Sequence, residues 1–250
     1  MIGCAFVLAL TASLPIVRRS SSSELLIGAI TSVGCFALTL EFTRWDGLRL
    51  RDVGAMPNNK SLAFLAIGFA LGLLLVALHS LLVSTAGGVV WVRTSNPSPL
   101  QASLLVVGYL LLSAREELAF HGYPLRRLQS SFGVWPAQAV ISVGFAIEHI
   151  AGGWPFAQAL WGAAVGSLLF GMASIATRGL AMPIGIHAAW NVGDWMRGNR
   201  LQPGLWRPDV QAGFEEQSSR AGIAYYVALM AVATLGFWWW HRAREAAMLK

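Results

Sequence analysis

The stretch that decides the fold is LAFLAIGFALGLLLVALHSLLVSTAG, which runs from Leu62 to Gly87 without a single Asp, Glu, Lys or Arg. A transmembrane helix needs about 20 mainly apolar residues, so this run is long enough to cross a bilayer at a tilt. The whole chain has the same character, since 56% of its 250 residues are hydrophobic and 12% are charged. A soluble domain carries about a quarter charged residues. The sequence therefore predicts an integral membrane protein.

Similar apolar runs lie on both sides of this one, separated by short polar or proline-containing stretches. We expect an all-α integral membrane protein with a bundle of about eight transmembrane helices, forming a single membrane domain over residues 1–250. The predicted spans are Ile2–Val17, Leu25–Phe42, Leu62–Gly87, Leu100 to the charged stretch Arg115–Glu117, Trp135–Ile150, Phe156–Thr177, Leu180–Trp195 and Ala221–His241. The polar stretch Arg197–Arg220 is expected to be an external loop.

The basic residues are scattered in the short segments between the spans, although the net charge is +6. This pattern is typical of topology-setting loops beside anionic lipid, whereas a nucleic-acid-binding protein would need a clustered basic face. More Lys and Arg fall on the side that would carry both termini. We therefore expect a multi-pass protein of a bacterial plasma membrane with both termini cytoplasmic.

Ionisable side chains inside apolar spans are costly, which makes them functional candidates. They lie at the end of the fourth span (Glu116 and Glu117), near the end of the fifth (His149) and within the seventh (His187). Asn191 follows His187 by one helical turn and shares its face. We expect Glu116, His149, His187 and Asn191 to converge in one cavity of the bundle.

The two adjacent glutamates point in directions about 100° apart on a helix. Glu117 and His121 are four residues apart and share a face, as do Phe145 and His149. The glutamates can therefore serve different sites, one in a central cavity and the other in a structural pair with His121.

Three motifs carry this pattern: EELAFHGYPLRRL (116–128), FAIEH (145–149) and HAAWN (187–191). They resemble the EExxxR, FxxxH and HxxxN motifs of the CAAX-protease and bacteriocin-processing (CPBP) family of intramembrane proteases. All three occur in the family's order, each within or at the end of an apolar run. The resemblance covers about residues 100–195, the expected catalytic core. One departure is His121, which stands at the position of the family's Arg and whose charge depends on pH.

The resemblance implies an endopeptidase that acts on a membrane-associated protein or peptide. Glu116 would be the general base on a water that His149 helps to orient, while His187 and Asn191 would stabilise the oxyanion. Glu117, His121 and Phe145 would support these groups. The expected partners are membrane lipid and a protein or peptide substrate, prenylated or lipid-embedded, with no nucleic acid.

The need for a metal stays open at this stage. Glu116, His149 and His187 could supply three ligands and leave the open position of a catalytic zinc site. No HExxH motif occurs, however, and we favour a mechanism without metal, with a divalent ion such as zinc as the alternative.

Two other functions compete with the protease. One is a non-catalytic relative that acts in bacteriocin self-immunity or as a membrane scaffold. The other is a proton-coupled transporter, which is disfavoured because the sequence lacks the expected internal repeats.

Several further polar residues receive structural interpretations. His79 and His241 are expected to form interhelical or interfacial hydrogen bonds. Glu148 is expected to be a solvated carboxylate on the loop side, and Arg126 and Arg127 are expected to mark a loop.

Overall fold

The structure, a computed structural model, describes residues 21–199 and 204–248. Its helices are α1 (Ser21–Trp45), α2 (Ser61–Gly87), α3 (Pro99–Glu116), α4 (Tyr123–Phe132), α5 (Val134–Ala151), α6 (Phe156–Thr177), α7 (Ala181–Met196) and α8 (Glu215–Met248). A π-helical turn, Glu117–His121, joins α3 to α4, and a second π-helical stretch, Ala159–Ala164, lies within α6. Two short strands, β1 (Val89–Arg93) and β2 (Trp206–Val210), complete the described part of the chain.

The predicted helical architecture is confirmed in its main outline. Four helices are long and apolar enough to cross a membrane, namely α2, α5, α6 and α8. The predicted count of eight spans is not confirmed, because the described residues contain seven helices of 16 or more residues. Helix α7 rises only about 24 Å, less than the roughly 30 Å of a hydrocarbon core. The first predicted span, Ile2–Val17, lies outside the described residues.

The stretch Arg197–Arg220, predicted to be an external loop, contains regular structure in its described residues 204–220. It contains β2, which pairs antiparallel with β1 in a register that runs from Val89 opposite Val210 to Arg93 opposite Trp206. The strands are five residues each and come from distant parts of the chain. Local sequence pattern does not reveal such a pairing, so the expectation of a purely helical protein was wrong here.

The expectation of a loop at Arg126 and Arg127 was also wrong, since both residues lie in α4. Pro124 stands in the first turn of α4, where a missing backbone N–H costs no hydrogen bond. Leu125 is fully buried below it. Arg127 pairs with Asp46 after α1 at 2.6 Å, and this ion pair ties α4 to the end of α1.

Small residues bring α2 and α7 into close contact. These residues recur every fourth position, as Gly68 and Gly72 on α2 and as Gly185, Ala189 and Gly193 on α7. Without side chains between them, two helix backbones approach closely and gain dispersion contacts in lipid. A Cβ added at Gly193 would lie 2.5 Å from a methyl group of Val76. The contact therefore fixes the rotation of α7, which carries the third motif.

We expect Gly72→Ala to destabilise the bundle by about 1–3 kcal/mol, the usual cost of overpacking. The new methyl would lie 2.6 Å from both the Cβ of Ala189 and the carbonyl oxygen of Ile186. The matched control is Gly236→Ala in α8, where a Cβ meets nothing within 4 Å and helix propensity improves. Thermal unfolding of both variants in one detergent measures the difference, and equal losses would contradict the close contact.

Candidate active site

Two adjacent buried carboxylates share one histidine. Glu116 ends α3 and Glu117 begins the π-helical turn, and their relative exposures are 5% and 0%. His187 of α7 lies with Nε2 at 3.5 Å from Glu116 Oε2 and with Nδ1 at 2.9 Å from Glu117 Oε1. One imidazole thus bridges the two carboxylates, so the first and third motifs meet directly.

A second contact between the same two segments lies one helical turn away from the first. The side-chain amide of Asn191 donates to Ser113 Oγ at 3.3 Å. Ser113 precedes Glu117 by four residues and Asn191 follows His187 by four, so each pair shares one helix face. Helices α3 and α7 therefore face each other through two successive polar contacts. Sequence analysis missed Ser113, although its four-residue spacing from Glu117 was a usable signal.

Arg115 supplies the positive charge next to Glu116. Its Nη2 donates to Glu116 Oε1 at 2.7 Å, and the Arg115 side chain is only 6% exposed. A buried carboxylate is costly unless it is paired and hydrogen-bonded. The sequence analysis placed this arginine in the charged stretch at the end of a span and did not assign it to the site.

The predicted contact between Glu117 and His121 is present. His121 Nδ1 lies 2.7 Å from Glu117 Oε2, and both side chains are fully buried. The two residues are four positions apart, so the carboxylate oxygen and the ring nitrogen meet on one helical face. On the other side of the ring, Nε2 lies 3.0 Å from Ser167 Oγ of α6. His121 therefore ties the π-helical turn to α6.

His149 joins the cluster at longer range. Its Nδ1 lies 2.9 Å from the carbonyl oxygen of Phe145, and its ring is near enough to Glu116 for an electrostatic interaction between the two side chains. The ring of Phe145 contacts the rings of His121, His149 and His187, at centroid distances of 5.9, 4.6 and 6.1 Å. Within the described residues the imidazoles of His149 and His187 make no ring contact with each other. Phe145 is thus the apolar centre around which the three histidines are arranged.

Glu148 is buried, which corrects the expectation of a solvated carboxylate. Its side chain is 6% exposed and its Oε2 lies 3.0 Å from His149 Nδ1. Helix α5 continues to Ala151, so Glu148 lies within the helix and not in the following loop. With Nδ1 of His149 turned toward Glu148 and Phe145, its Nε2 is the nitrogen left for chemistry.

Two aromatic residues that the sequence analysis left out of the site help to hold the histidines. Phe170 of α6 stacks on the His187 ring, with centroids 4.4 Å apart and planes at 11°. Trp154 meets the His149 ring edge-on at 4.6 Å.

The expectation for His79 is confirmed. Its Nε2 lies 2.9 Å from the carbonyl oxygen of Gly222, which links α2 to α8. His241 pairs with Glu245 on its own helix at 3.3 Å.

The residues present do not form a metal site in this arrangement. In the ranges 21–199 and 204–248, no three His, Cys, Asp or Glu side chains are placed to hold one ion. We therefore derive no chemical step through a metal.

A comparison with protein families matches residues 98–193 to the family described as type II CAAX prenyl endopeptidase Rce1-like. The matched segment begins at Ser98, the N-cap of α3, and ends two residues after Asn191. It therefore contains all three motifs, and the matched family agrees with the resemblance that they carry. A comparison with curated proteins gives no match.

We expect His121→Ala to destabilise the folded protein by about 3 kcal/mol, because it takes away one of the partners of the buried Glu117 carboxylate. The control is Arg220→Ala, which breaks a pair with Glu216 that is also four residues apart in a helix but is 78% and 79% exposed. The loss of stability caused by Arg220→Ala should stay below about 1 kcal/mol. Thermal unfolding of both variants checks the prediction, and an equally small effect at His121 would contradict a stabilising role for the buried pair.

Proposed function

We propose, from the premise that residues 98–193 belong to the Rce1-like family of type II CAAX prenyl endopeptidases, that this protein is an intramembrane endopeptidase. It cleaves a membrane-associated protein or peptide with water activated at Glu116. The observation that carries the proposal is the meeting of Glu116 with His187 inside a cluster that joins the first and third motifs.

Glu116 is the proposed general base. Arg115 engages Oε1 at 2.7 Å, which leaves Oε2 toward His187 at 3.5 Å. That distance is longer than a hydrogen bond, and catalytic contacts are often long before substrate binds. In the proposed reaction, Glu116 takes a proton from water while the water oxygen bonds to the substrate carbonyl carbon. The proton then passes to the leaving amine as the carbon–nitrogen bond breaks.

Asn191 and His187 are the proposed oxyanion donors. An amide N–H₂ is a neutral donor that stabilises the developing negative charge without taking part in proton transfer. The 3.3 Å contact of Asn191 with Ser113 Oγ is long for a hydrogen bond, so a substrate oxygen can compete for the amide. Stacking on Phe170 and the bond from Nδ1 to Glu117 hold the His187 ring in one orientation. These contacts support preorganisation of the donor.

His149 is proposed to help orient the attacking water through Nε2. Glu148 would fix this role, because its carboxylate holds Nδ1 and so selects the ring orientation. The family description names prenylated CAAX proteins as substrates. For this chain, the proposed substrate class is a protein or peptide held at the membrane, prenylated CAAX sequences among them.

We expect Glu116→Gln to abolish cleavage, with a loss on the order of 100- to 10,000-fold, because it removes the base and keeps the size. Asn191→Ala should lower turnover by roughly 100- to 1,000-fold through loss of one oxyanion donor. The control is Glu216→Gln, an exposed carboxylate on α8. Turnover of a prenylated CAAX peptide by purified protein in detergent is measured, with thermal unfolding recorded beside it.

Other outcomes of that assay favour the alternatives. Turnover of Glu116→Gln close to that of wild type would contradict the proposed role of Glu116 as general base. A folded wild-type protein without any turnover on CAAX or precursor peptides would favour the non-catalytic membrane scaffold or self-immunity relative. Activity lost on chelation and restored by zinc would assign Glu116, His149 and His187 to a metal site.

We expect Glu148→Gln to lower kcat on the order of 10- to 100-fold with little change in KM, because misplacing a catalytic group by about 1 Å has an effect of that size. Glu245→Gln is the control, since Glu245 also contacts a histidine, His241 at 3.3 Å, at a site away from the cluster. An unchanged kcat for a stably folded Glu148→Gln protein would rule out its positioning role.

A further inference from the structure

Three arginines from different segments meet at the last turn of α6. Arg126 of α4 donates through Nη2 to the carbonyl oxygen of Ser174 at 2.7 Å. Arg244 of α8 donates through Nη1 to the carbonyl oxygen of Ala176 at 2.8 Å. Arg178 follows α6 directly as its C-cap. The free carbonyls of a helix end carry partial negative charge, which accounts for the two guanidinium groups bound there. Arg126, Arg178 and Arg244 are here called the arginine cluster.

The positive charge of the arginine cluster is not neutralised within the described residues. No carboxylate lies within 4.0 Å of Arg126, Arg178 or Arg244 in that part of the chain, whereas neighbouring Arg127 pairs with Asp46. Burial and the charge of Arg178 lower the pKa of Arg126 to about 10. The three like charges are thus held together without an acidic protein group between them.

Arg178 occupies a strained backbone position. Its φ is 56°, and it is the one non-glycine residue with positive φ in the ranges 21–199 and 204–248. Gly179, which would adopt this conformation without strain, is the very next residue. The chain therefore places an exposed cation where a glycine would cap the helix at lower cost, and such strain tends to occur at functional positions.

The arginine cluster lies where the apolar part of α8 ends. Trp240 lies under Arg244, with the guanidinium 6.0 Å from the ring centroid, and tryptophan favours the interface between lipid and water. On the outer face of the same helix, Val232, Leu235 and Trp239 are 70%, 54% and 72% exposed. Within the described residues, cations without a carboxylate partner thus lie near the end of a helix with an exposed apolar surface suited to acyl chains.

We propose that the arginine cluster binds the phosphate headgroup of an anionic phospholipid, whose chains lie along α8. Each basic residue near an anionic membrane surface contributes about a fivefold factor in affinity, so three contribute on the order of 100-fold. The apolar face beside the cluster selects a lipid over free inorganic phosphate.

The test compares lipids on the purified full-length protein in a neutral detergent. Phosphatidylglycerol and phosphatidylcholine are added separately, and bound lipid is counted by native mass spectrometry. Wild type should retain phosphatidylglycerol preferentially, and the triple variant Arg126→Gln, Arg178→Gly, Arg244→Gln should bind it on the order of 100-fold more weakly. The control variant Arg207→Gln, Arg220→Gln removes exposed arginines from other parts of the chain and should bind like wild type.

A single variant separates lipid binding from folding. Arg178→Gly removes one charge but relieves the positive φ, and among the described residues its side chain hydrogen-bonds only to Met248 Sδ, at 3.4 Å. It should raise the unfolding temperature without lipid while weakening phosphatidylglycerol binding about fivefold. If the triple variant does not fold, Arg178→Gly still tests whether the arginine cluster binds phosphatidylglycerol.

Three results would overturn the proposal. One is equal retention of phosphatidylglycerol and phosphatidylcholine by wild type. Another is unchanged phosphatidylglycerol binding by Arg178→Gly and by a folded triple variant. The third is competition by inorganic phosphate alone at the concentration of the lipid, which would make the cluster a simple anion site.

Discussion

The burial of two consecutive carboxylates, Glu116 and Glu117, is the constraint on which the rest of the site depends. Neither can remain charged inside an apolar bundle without partners. Arg115 contacts Glu116 and His121 contacts Glu117, while His187 contacts both carboxylates. These partners come from α3, the π-helical turn and α7, so compensating the charge also determines which segments must meet.

Close packing makes this meeting possible. An imidazole reaches a carboxylate on a neighbouring helix only at one rotation of its own helix, and the glycines between α2 and α7 set that rotation. Aromatic rings then limit the freedom of the imidazoles, with Phe170 on His187 and Phe145 at the centre. Apolar packing and the polar contacts of the site therefore depend on each other, because the packing determines the orientations of the polar side chains.

Features governed by local spacing could be predicted from the sequence. The pair Glu117–His121 lies four residues apart in one chain segment, and the three motifs stand out because charge is rare in apolar runs. Arg115 and Glu148 were misjudged because a sequence does not show how far a helix continues past a charged residue. Ser113 carries no charge, so its four-residue spacing from Glu117 was the signal that could have identified it. The pairing of β1 with β2 joins distant segments and has no local pattern.

The length of α8 ties the whole bundle to the thickness of the surrounding lipid. Its 34 residues rise about 51 Å, while a typical hydrocarbon core is about 30 Å thick. Both polar ends of α8 must stay in water. The tilt of this helix therefore changes with the thickness of the bilayer. Because α8 packs against α2 and α6, tilt is passed to helices that hold His187 in place. The thickness of the membrane thus influences the geometry of the buried cluster.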